Sequence, residues 1–229
     1  MKKHFTFYLV FFLLISMSEK STAQDWANLA KYEKENTLLT PKKSSEKRIV
    51  LMGDSITEFW LKIHPDFFEE KPYIDRGISG QTTPQMLIRF RPDVINLQAD
   101  VVVILAGVND IAGNTGPTTN EKILGNIISM VELAKANKIK VILCSVLPAV
   151  NFNWRPNDKA AETIIQLNQL IQSYAKQHQI PYVDYHTAMA DAKNGLPKEY
   201  ADDGVHPNLK GYQVMEPLLE KAIQKTLEK

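Results

Sequence analysis

The sequence predicts an α/β protein in which a five-stranded parallel sheet lies between helices. Five short, β-branched runs alternate with longer segments whose apolar residues recur every three or four positions. The short runs are almost continuously apolar, as expected for strands that are covered on both faces. Because alternating strands and helices favour a parallel sheet, the sequence predicts one α/β domain over residues 48–229.

The predicted elements can be placed in order along the chain. The strands are expected at residues 48–52, 73–75, 101–106, 140–147 and 182–184. Helical patterns are expected at residues 84–98 with a kink at Pro92, at 119–137, at 158–178 and from about 208 onward. Residues 24–47 are polar and rich in Lys and Glu, and we predict an N-terminal arm that lies on the domain. The apolar residues of this arm are spaced as on a short amphipathic helix: Trp26, Leu29, Tyr32, Leu38 and Leu39.

Residues 1–23 have the layout of a secretory signal peptide. Lys2 and Lys3 precede the mostly apolar residues 5–17, and Ala23 stands immediately before a possible cleavage site. The apolar run is short for a bilayer span, so we expect no stable membrane insertion after cleavage. The protein is therefore expected to be exported, either to a periplasm or out of the cell. The alternative is an uncleaved membrane anchor.

The composition excludes several classes of function. The 229 residues include 27 basic and 26 acidic side chains, which gives a formal charge of +1. Residues 1–23 hold three lysines and one glutamate, so the remaining 206 residues carry 24 basic and 25 acidic side chains and a charge of −1. This balance gives no electrostatic basis for binding nucleic acid or an anionic membrane. The single cysteine, Cys144, excludes an intrachain disulfide, and its apolar neighbours predict a buried thiol.

Candidate catalytic residues follow the predicted strands, which is where parallel α/β proteins bind ligands. Ser55 stands at the first turn after the first strand, where a helix begins and its own N–H could support an oxyanion. Alternatively, Asp54 or Ser55 only caps that helix. Gly77 and Gly80 follow the second strand, and they either admit a ligand close to the backbone or serve as turn residues. Asn109 follows the third strand, as an amide donor or as part of an Asx-turn.

A carboxylate and an imidazole stand three residues apart near the end of the chain. Asp203 can accept a hydrogen bond from Nδ1 of His206 across a glycine-containing turn, which leaves Nε2 free to act as a base. His186, after the fifth strand, is a competing candidate for the base, whereas His64 and His178 are expected in solvated positions. No further histidine stands at ligand spacing, so we predict no metal site and no cofactor.

Four blocks of the chain resemble those of the SGNH (GDSL-type) hydrolases. The blocks are residues 53–57, 77–80, 107–110 and 203–207, and the resemblance spans roughly residues 48–228. Within that family the chain looks most like the small secreted esterases that are akin to platelet-activating-factor acetylhydrolase. The resemblance implies a flavodoxin-like three-layer α/β/α sandwich and a carboxylic ester hydrolase that needs no cofactor or metal.

The resemblance also implies roles for individual residues. Ser55 is the expected nucleophile, His206 the expected base and Asp203 the residue that orients the imidazole. The expected oxyanion hole consists of the N–H groups of Ser55 and Gly80 and the side chain of Asn109. The first block reads Gly-Asp-Ser-Ile rather than Gly-Asp-Ser-Leu, a departure that leaves the nucleophile unchanged.

The expected substrate is a small-molecule or carbohydrate ester with a short acyl group such as acetyl. The chain shows no long apolar lid, and residues 150–156 contain Phe152 and Trp154, which could form an aromatic wall suited to a sugar. Alternatively, these two rings only pin the loop to the body of the protein. Two other functions stay open at this point. One is an O-acyltransferase that uses the same site, and the other is a non-catalytic carbohydrate-binding protein on this fold.

Overall fold

The computed structural model describes residues 25–39, 41–43 and 45–228, so the predicted signal peptide at residues 1–23 lies outside the described residues. Five strands form one sheet in which every strand pair is parallel. The strands are β1 (Ile49–Gly53), β2 (Tyr73–Gly77), β3 (Val101–Leu105), β4 (Lys140–Cys144) and β5 (Tyr182–Val183). Their order is β2-β1-β3-β4-β5, which is the order of flavodoxin-like folds. The predicted fold class is therefore confirmed.

Helices cover both faces of this sheet. They are α1 (Glu33–Leu38), α2 (Ser55–Ile63), α3 (Thr83–Phe90), α4 (Val108–Ile111), α5 (Asn120–Ala136), α6 (Ala160–Gln177), α7 (Tyr185–Met189) and α8 (Leu209–Leu227). Short 3₁₀ turns occur at Leu29–Lys31 and Pro65–Phe67. In one layer α5 packs between α3 and α6, and in the other α2 and α8 share an aromatic contact. Within the part of the chain that the structure describes, no helix has the length and apolar character needed to cross a bilayer.

The core forms where the sequence predicts it, along the continuous apolar strands. Every residue of β1 and β3 is buried. Cys144 at the end of β4 is buried as well, and burial raises the pKa of its thiol to about 12. The cysteine is therefore protonated and shielded, as expected for an inert core residue.

The fourth and fifth strands end earlier than predicted, and polar side chains account for both ends. The fourth strand stops at Cys144, after which the backbone N–H and C=O of Val146 bond to the buried side-chain amide of Asn168 at 2.8 and 2.9 Å. This amide satisfies the backbone where a neighbouring strand would otherwise do so. The fifth strand stops at Val183 because the side chain of Asp184 caps α7.

The predicted kink at Pro92 is a change of helix type. Helix α3 ends at Phe90 and continues as a π-helical segment, Arg91–Ile95, which contains the proline. Proline has no backbone N–H and its ring crowds the preceding turn, so a regular α-helical hydrogen-bond ladder cannot pass through it.

Polar groups make several of the contacts between the N-terminal residues 25–39 and the domain. Tyr32 is buried and its hydroxyl donates to the carbonyl of Gly77, and Asn36 accepts a 2.8 Å hydrogen bond from Arg76. The expectation of an apolar helix face is wrong, because α1 has only six residues and most of the apolar side chains stay outside. The exposed ones are Trp26, Leu29 and Leu38.

Helix α2 lies closer to the ends of β1 and β2 than any side chain at the contact would allow. A Cβ at Gly77 would overlap the backbone nitrogen of Glu58, and a Cβ at Gly53 would overlap the hydroxyl of Thr57. Gly53 and Gly77 also pair in register across the two strands. These two glycines therefore set the position of α2, whose first residue is Ser55.

We expect Gly77→Ala to lower the free energy of unfolding by about 2–3 kcal/mol, because the added methyl group has to displace helix backbone. The matched control is Gly125→Ala in α5, where nothing lies within 4 Å of an added Cβ. That control should raise the free energy of unfolding by about 1 kcal/mol through helix propensity. Urea unfolding followed by circular dichroism compares the two variants. Equal stability of both would show that α2 can move without cost.

Asp75 on β2 is a buried carboxyl with one unbonded oxygen. Its Oδ1 accepts the N–H of Gly77 at 2.7 Å, and its Oδ2 has no hydrogen-bond partner among the described residues. Burial raises the pKa of Asp75 to about 7, although the Gly77 N–H and the charge of Arg76 act in the opposite direction. The folded protein therefore holds a proton that the unfolded chain releases at lower pH. Stability from this group is full below about pH 4 and is lost as the pH rises through about 7.

In Asp75→Asn, we expect the fall in unfolding free energy between pH 4.5 and pH 7.5 to become smaller than in the wild type. Asparagine keeps the oxygen that accepts from Gly77 and cannot ionise. Urea titrations at a series of pH values measure the effect, with the exposed Asp66→Asn as a control that should keep the wild-type slope. A slope in Asp75→Asn that matches the wild type would contradict titration of Asp75 in this range.

Candidate active site

Ser55 is the first residue of α2, directly after β1, and its side chain is directed to an imidazole. The preceding Asp54 caps the helix, because its Oδ1 accepts the N–H of Ile56 at 2.9 Å. Ser55 therefore does not have to cap the helix, and its Oγ lies 2.9 Å from Nε2 of His206. The N–H of Ser55 has no protein acceptor among the described residues, as expected at the first position of a helix.

The imidazole of His206 is held from its other side by Asp203. Nδ1 of His206 lies 2.6 Å from Oδ2 of Asp203, whose Oδ1 accepts the backbone N–H groups of Val205 and His206 at 2.9 and 2.8 Å. Gly204 makes this tight turn possible with φ at +76°. Partial burial raises the pKa of Asp203, but hydrogen bonds from His206 and Val205 outweigh it and hold the pKa below its usual range. The carboxylate is thus ionised and directs the Nδ1–H of His206 toward itself.

The other histidines have different partners. His186 lies in α7, where its backbone N–H donates to Ser145 Oγ at 2.9 Å and burial lowers the pKa of its ring. The ring that contacts Ser55 belongs to His206, not to His186. The expectation that His64 is solvated is wrong, because its Nδ1 lies 2.6 Å from Glu216 and the ring is largely buried between α2 and α8. His178 is exposed, as expected.

Helix α8 follows the turn of His206 and packs directly on α2. The hydroxyl of Tyr212 donates to the carbonyl of Ile56 at 2.7 Å, and its ring stacks on Trp60 with centroids 5.1 Å apart. The indole N–H of Trp60 donates in turn to Glu216 at 3.1 Å. These contacts join the helix that begins at Ser55 to the helix that follows the Asp203–His206 turn, and so couple the two halves of the site.

The loop after β2 and the turn after β3 meet beside Ser55's end of the sheet. Gly80 has φ at +78°, and its N–H has no protein acceptor among the described residues. The side-chain Nδ2 of Asn109 donates to the carbonyl of Gln81 at 3.1 Å, which leaves its second N–H for a ligand. Because β2, β1 and β3 are neighbours in the sheet, these donors and the N–H of Ser55 lie at the same edge. Such a set of donors can stabilise a negatively charged oxygen.

Arg89 lies beneath the loop after β2 and the end of β1, and it was not among the residues predicted from the sequence. The side chain is fully buried, and its guanidinium donates to Gln81 Oε1, to Gly53 O at 2.8 Å and to Asp93 at 3.0 Å. It thereby connects the strand end before Ser55 with the loop that carries Gly80. The available signal was the position of the arginine on the apolar side of its helix, one residue before the buried Phe90.

Two further carboxylates hold the loops around the site. Glu58 accepts the N–H and the hydroxyl of Ser79, both at 2.7 Å, and pairs with Lys31 and Lys62. Partial burial raises the pKa of Glu58, but the hydrogen bonds from the two lysines and Ser79 lower it further, to about 2. The carboxylate therefore stays charged and anchors the loop between Gly77 and Gly80 to α2.

On the other side of the site, Asp110 accepts the N–H and the hydroxyl of Thr83 at 2.9 and 2.6 Å. This links α4, which carries Asn109, to the start of α3. Burial raises the pKa of Asp110 to about 6, against the hydrogen bonds from Thr83. Asn109 is consequently fixed in its backbone position as well as through its side chain.

Aromatic side chains flank the imidazole of His206. The ring centroids of Phe59 and Trp154 lie 5.4 and 5.9 Å from that of His206. Trp154 is 42% exposed, whereas Phe152 is fully buried and packs against it at 5.4 Å. Each interpretation of this loop thus fits one of its residues. The buried Phe152 anchors the loop to the body of the protein, and Trp154 presents a ring to solvent beside His206.

The described residues contain no group of three or more His, Cys, Asp or Glu side chains that could hold a metal ion. The site brings together a serine hydroxyl beside an oriented imidazole and several N–H donors at the same edge of the sheet. These are the elements that acyl transfer requires.

The known proteins to which this chain is similar include a candidate acylhydrolase and two esterases. The structure superposes on that of a candidate acylhydrolase from Bacteroides fragilis NCTC 9343 with a TM-score of 0.87 and 52% identity, covering 89% of this chain and 99% of the other. The sequence is 29% identical to an acetylxylan esterase of Xylanibacter ruminicola over 65% of this chain, and it spans only 35% of that protein's length. It is 23% identical to the isoamyl acetate-hydrolyzing esterase of Saccharomyces cerevisiae, over 78% of this chain and 86% of the relative.

The family assignment rests on a match to the family as a whole. Residues 51–214 match the profile of the GDSL-like Lipase/Acylhydrolase family, which runs from β1 to α8 and includes the strand ends described above. The match covers well over half of the chain, and the protein therefore belongs to the GDSL-like lipase/acylhydrolase family.

Proposed function

We propose that this carboxylic ester hydrolase uses Ser55 as its nucleophile, His206 as its general base and Asp203 as the residue that orients the base. The observation that carries the proposal is the chain of contacts from Ser55 Oγ to His206 Nε2 at 2.9 Å and from His206 Nδ1 to Asp203 at 2.6 Å. A buried serine hydroxyl gains nucleophilic character only when a neighbouring base can take its proton.

In the proposed first step, Ser55 Oγ attacks the carbonyl carbon of the ester while His206 Nε2 takes the hydroxyl proton. The imidazolium that forms is stabilised by the ionised Asp203. His206 then gives the proton to the oxygen of the departing alcohol, and the acyl group stays on Ser55. In the second step His206 takes a proton from water, the hydroxide adds to the acyl carbon, and Ser55 leaves with its proton restored.

We assign the oxyanion hole to the N–H groups of Ser55 and Gly80 and to the side-chain amide of Asn109. All three follow adjacent strands, and the position of Ser55 at the start of α2 adds the favourable end of a helix dipole. Pre-positioned donors of this kind stabilise the tetrahedral intermediate, because they need no reorganisation when the charge develops.

We propose that the group removed is a short acyl group, acetyl above all, and that its carrier is a carbohydrate. The acetylxylan esterase and the isoamyl acetate-hydrolyzing esterase share acetyl esters as substrates by name, although their alcohols differ. The exposed ring of Trp154 beside His206 supports a sugar, since aromatic faces suit the apolar face of a pyranose ring. The signal-peptide layout of residues 1–23 fits a substrate met outside the cytoplasm.

We expect Ser55→Ala to reduce hydrolysis of 4-nitrophenyl acetate by about 10⁴-fold or more, because the variant lacks the hydroxyl that forms the proposed acyl-enzyme. A fluorophosphonate probe should label the wild type once, at Ser55, and the variant not at all. Ser129→Ala in α5 is the matched control and should keep full activity and labelling. Wild-type turnover in Ser55→Ala would refute the nucleophile, and an unlabelled wild type would favour a non-catalytic carbohydrate-binding protein.

A panel of acetyl, butyryl and octanoyl esters should show kcat/KM falling as the acyl chain lengthens. On acetylated xylo-oligosaccharides, Trp154→Ala should raise KM by about 10-fold, because it removes a stacking surface for the sugar. The same variant should change KM for 4-nitrophenyl acetate much less. Preference for octanoyl esters would contradict the short-acyl proposal. Accumulation of transferred acetyl groups on an added glycan, in excess of free acetate, would identify an O-acyltransferase instead.

A further inference from the structure

The side chain of Asn114 connects three parts of the site that the proposed function treats separately. Its Nδ2 donates to Asn109 Oδ1 at 2.9 Å and to the carbonyl of Gly80 at 3.1 Å. Its Oδ1 accepts the indole N–H of Trp154 at 3.1 Å. The backbone N–H of Asn114 also donates to the carbonyl of Asn109 at 3.0 Å, so the residue is held in place independently of its side chain.

The orientation of both asparagine amides follows from their partners. The carbonyls of Gly80 and Gln81 can only accept, and the indole of Trp154 can only donate. Asn114 must therefore turn Nδ2 toward Gly80 and Oδ1 toward Trp154. Asn109 must then turn Nδ2 toward Gln81 and Oδ1 toward Asn114. A flipped Asn109 would place its oxygen against the Gln81 carbonyl and would leave two donors facing each other.

On the basis of the proposed function, we propose that Asn114 is a positioning residue that sets the amide of Asn109 for oxyanion binding and links it to the substrate-facing ring of Trp154. With Oδ1 of Asn109 occupied by Asn114, the free N–H of the Asn109 amide is the group that remains for the oxyanion. The same Nδ2 holds the carbonyl of Gly80, so one side chain aligns two of the three proposed donors.

The link to Trp154 has a consequence for how substrates are used. A sugar ring that stacks on Trp154 holds the indole still, and with it the hydrogen bond to Asn114. Fixing the indole in this way also fixes Asn114, and through Asn114 the proposed oxyanion donors of Asn109 and Gly80. An ester that contacts Trp154 should therefore have a higher kcat as well as a lower KM. A small ester that does not contact Trp154 should show neither change.

The test is a double-mutant cycle on kcat with 4-nitrophenyl acetate. Asn114→Ala should lower kcat by about 10-fold or more and change KM by less than about twofold, since it disturbs a donor used in the transition state. In an Asn109→Ala background, the same substitution should cause less than about a twofold further loss. A full additional loss in that background would overturn the proposal, because Asn114 would then act on its own.

Further variants separate positioning from folding. Asn114→Asp keeps the acceptor for Trp154 and loses both donors, so its kcat should fall at least as far as that of Asn114→Ala. Trp154→Phe keeps an aromatic ring and loses the indole donor, and its smaller loss in kcat should vanish in the Asn114→Ala background. Asn137→Ala at the end of α5 is a matched control whose kcat should not change. Wild-type kcat in Asn114→Asp would also overturn the proposal, even if Asn114→Ala does not fold.

Different results would contradict the proposed function and the positioning role of Asn114. If the proposed function is wrong, Ser55→Ala keeps its activity or Asn109→Ala has no effect on kcat. If only the role of Asn114 is wrong, both of those variants are impaired while the losses from Asn109→Ala and Asn114→Ala multiply. A similar unfolding midpoint for the wild type and Asn114→Ala makes the kinetic comparison one between folded proteins.

Discussion

The site depends on the close packing of helix α2 against the ends of β1 and β2. Glycines at positions 53 and 77 leave no side chain at the contact, so the helix begins immediately beyond the sheet. Ser55 is placed by backbone contacts on a rigid element rather than by a flexible loop. The orientation of the helix also turns its first N–H groups toward the position where the proposed mechanism develops negative charge. The remaining parts of the site are arranged around this fixed hydroxyl.

Buried charges hold those remaining parts. Arg89 and Asp93 form a pair with almost no exposure, and a pair of this kind adds little net stability because its desolvation is costly. Its location explains its contribution better, since the same guanidinium binds the strand end at Gly53 and the side chain of Gln81. Glu58 acts in a similar way on the outside, where it joins α2, the N-terminal Lys31 and the loop of Ser79. These loops are thus held in place by hydrogen bonds and ion pairs with buried and neighbouring charged side chains.

The sequence predicts the layers of the fold better than the contacts between them. Continuous apolar runs identify the five strands, because a strand that is buried on both faces consists almost entirely of apolar residues that are adjacent in sequence. The meeting of Ser55 with Asp203 and His206 was expected from the resemblance of the four sequence blocks to the SGNH hydrolases. The roles of Arg89, Asn114 and Asn168 could not, since each depends on backbone groups that are distant in sequence. The exposure of Trp26, Leu29 and Leu38 in the N-terminal arm could not be predicted for the same reason, because hydrogen bonds to groups distant in sequence help to hold the arm.

The distance in sequence between the proposed nucleophile and the proposed base has a consequence for the order in which the site forms. Ser55 and His206 are 151 residues apart, and His206 is followed by α8, which docks on α2 through Tyr212 and Trp60. A ribosome delivers the sheet strands first and the imidazole and its helix last. The nascent chain can therefore build most of its core while the hydroxyl has no base. The proposed nucleophile and the proposed base therefore meet only after the last part of the chain has docked, and a chain that ends before His206 lacks the proposed base.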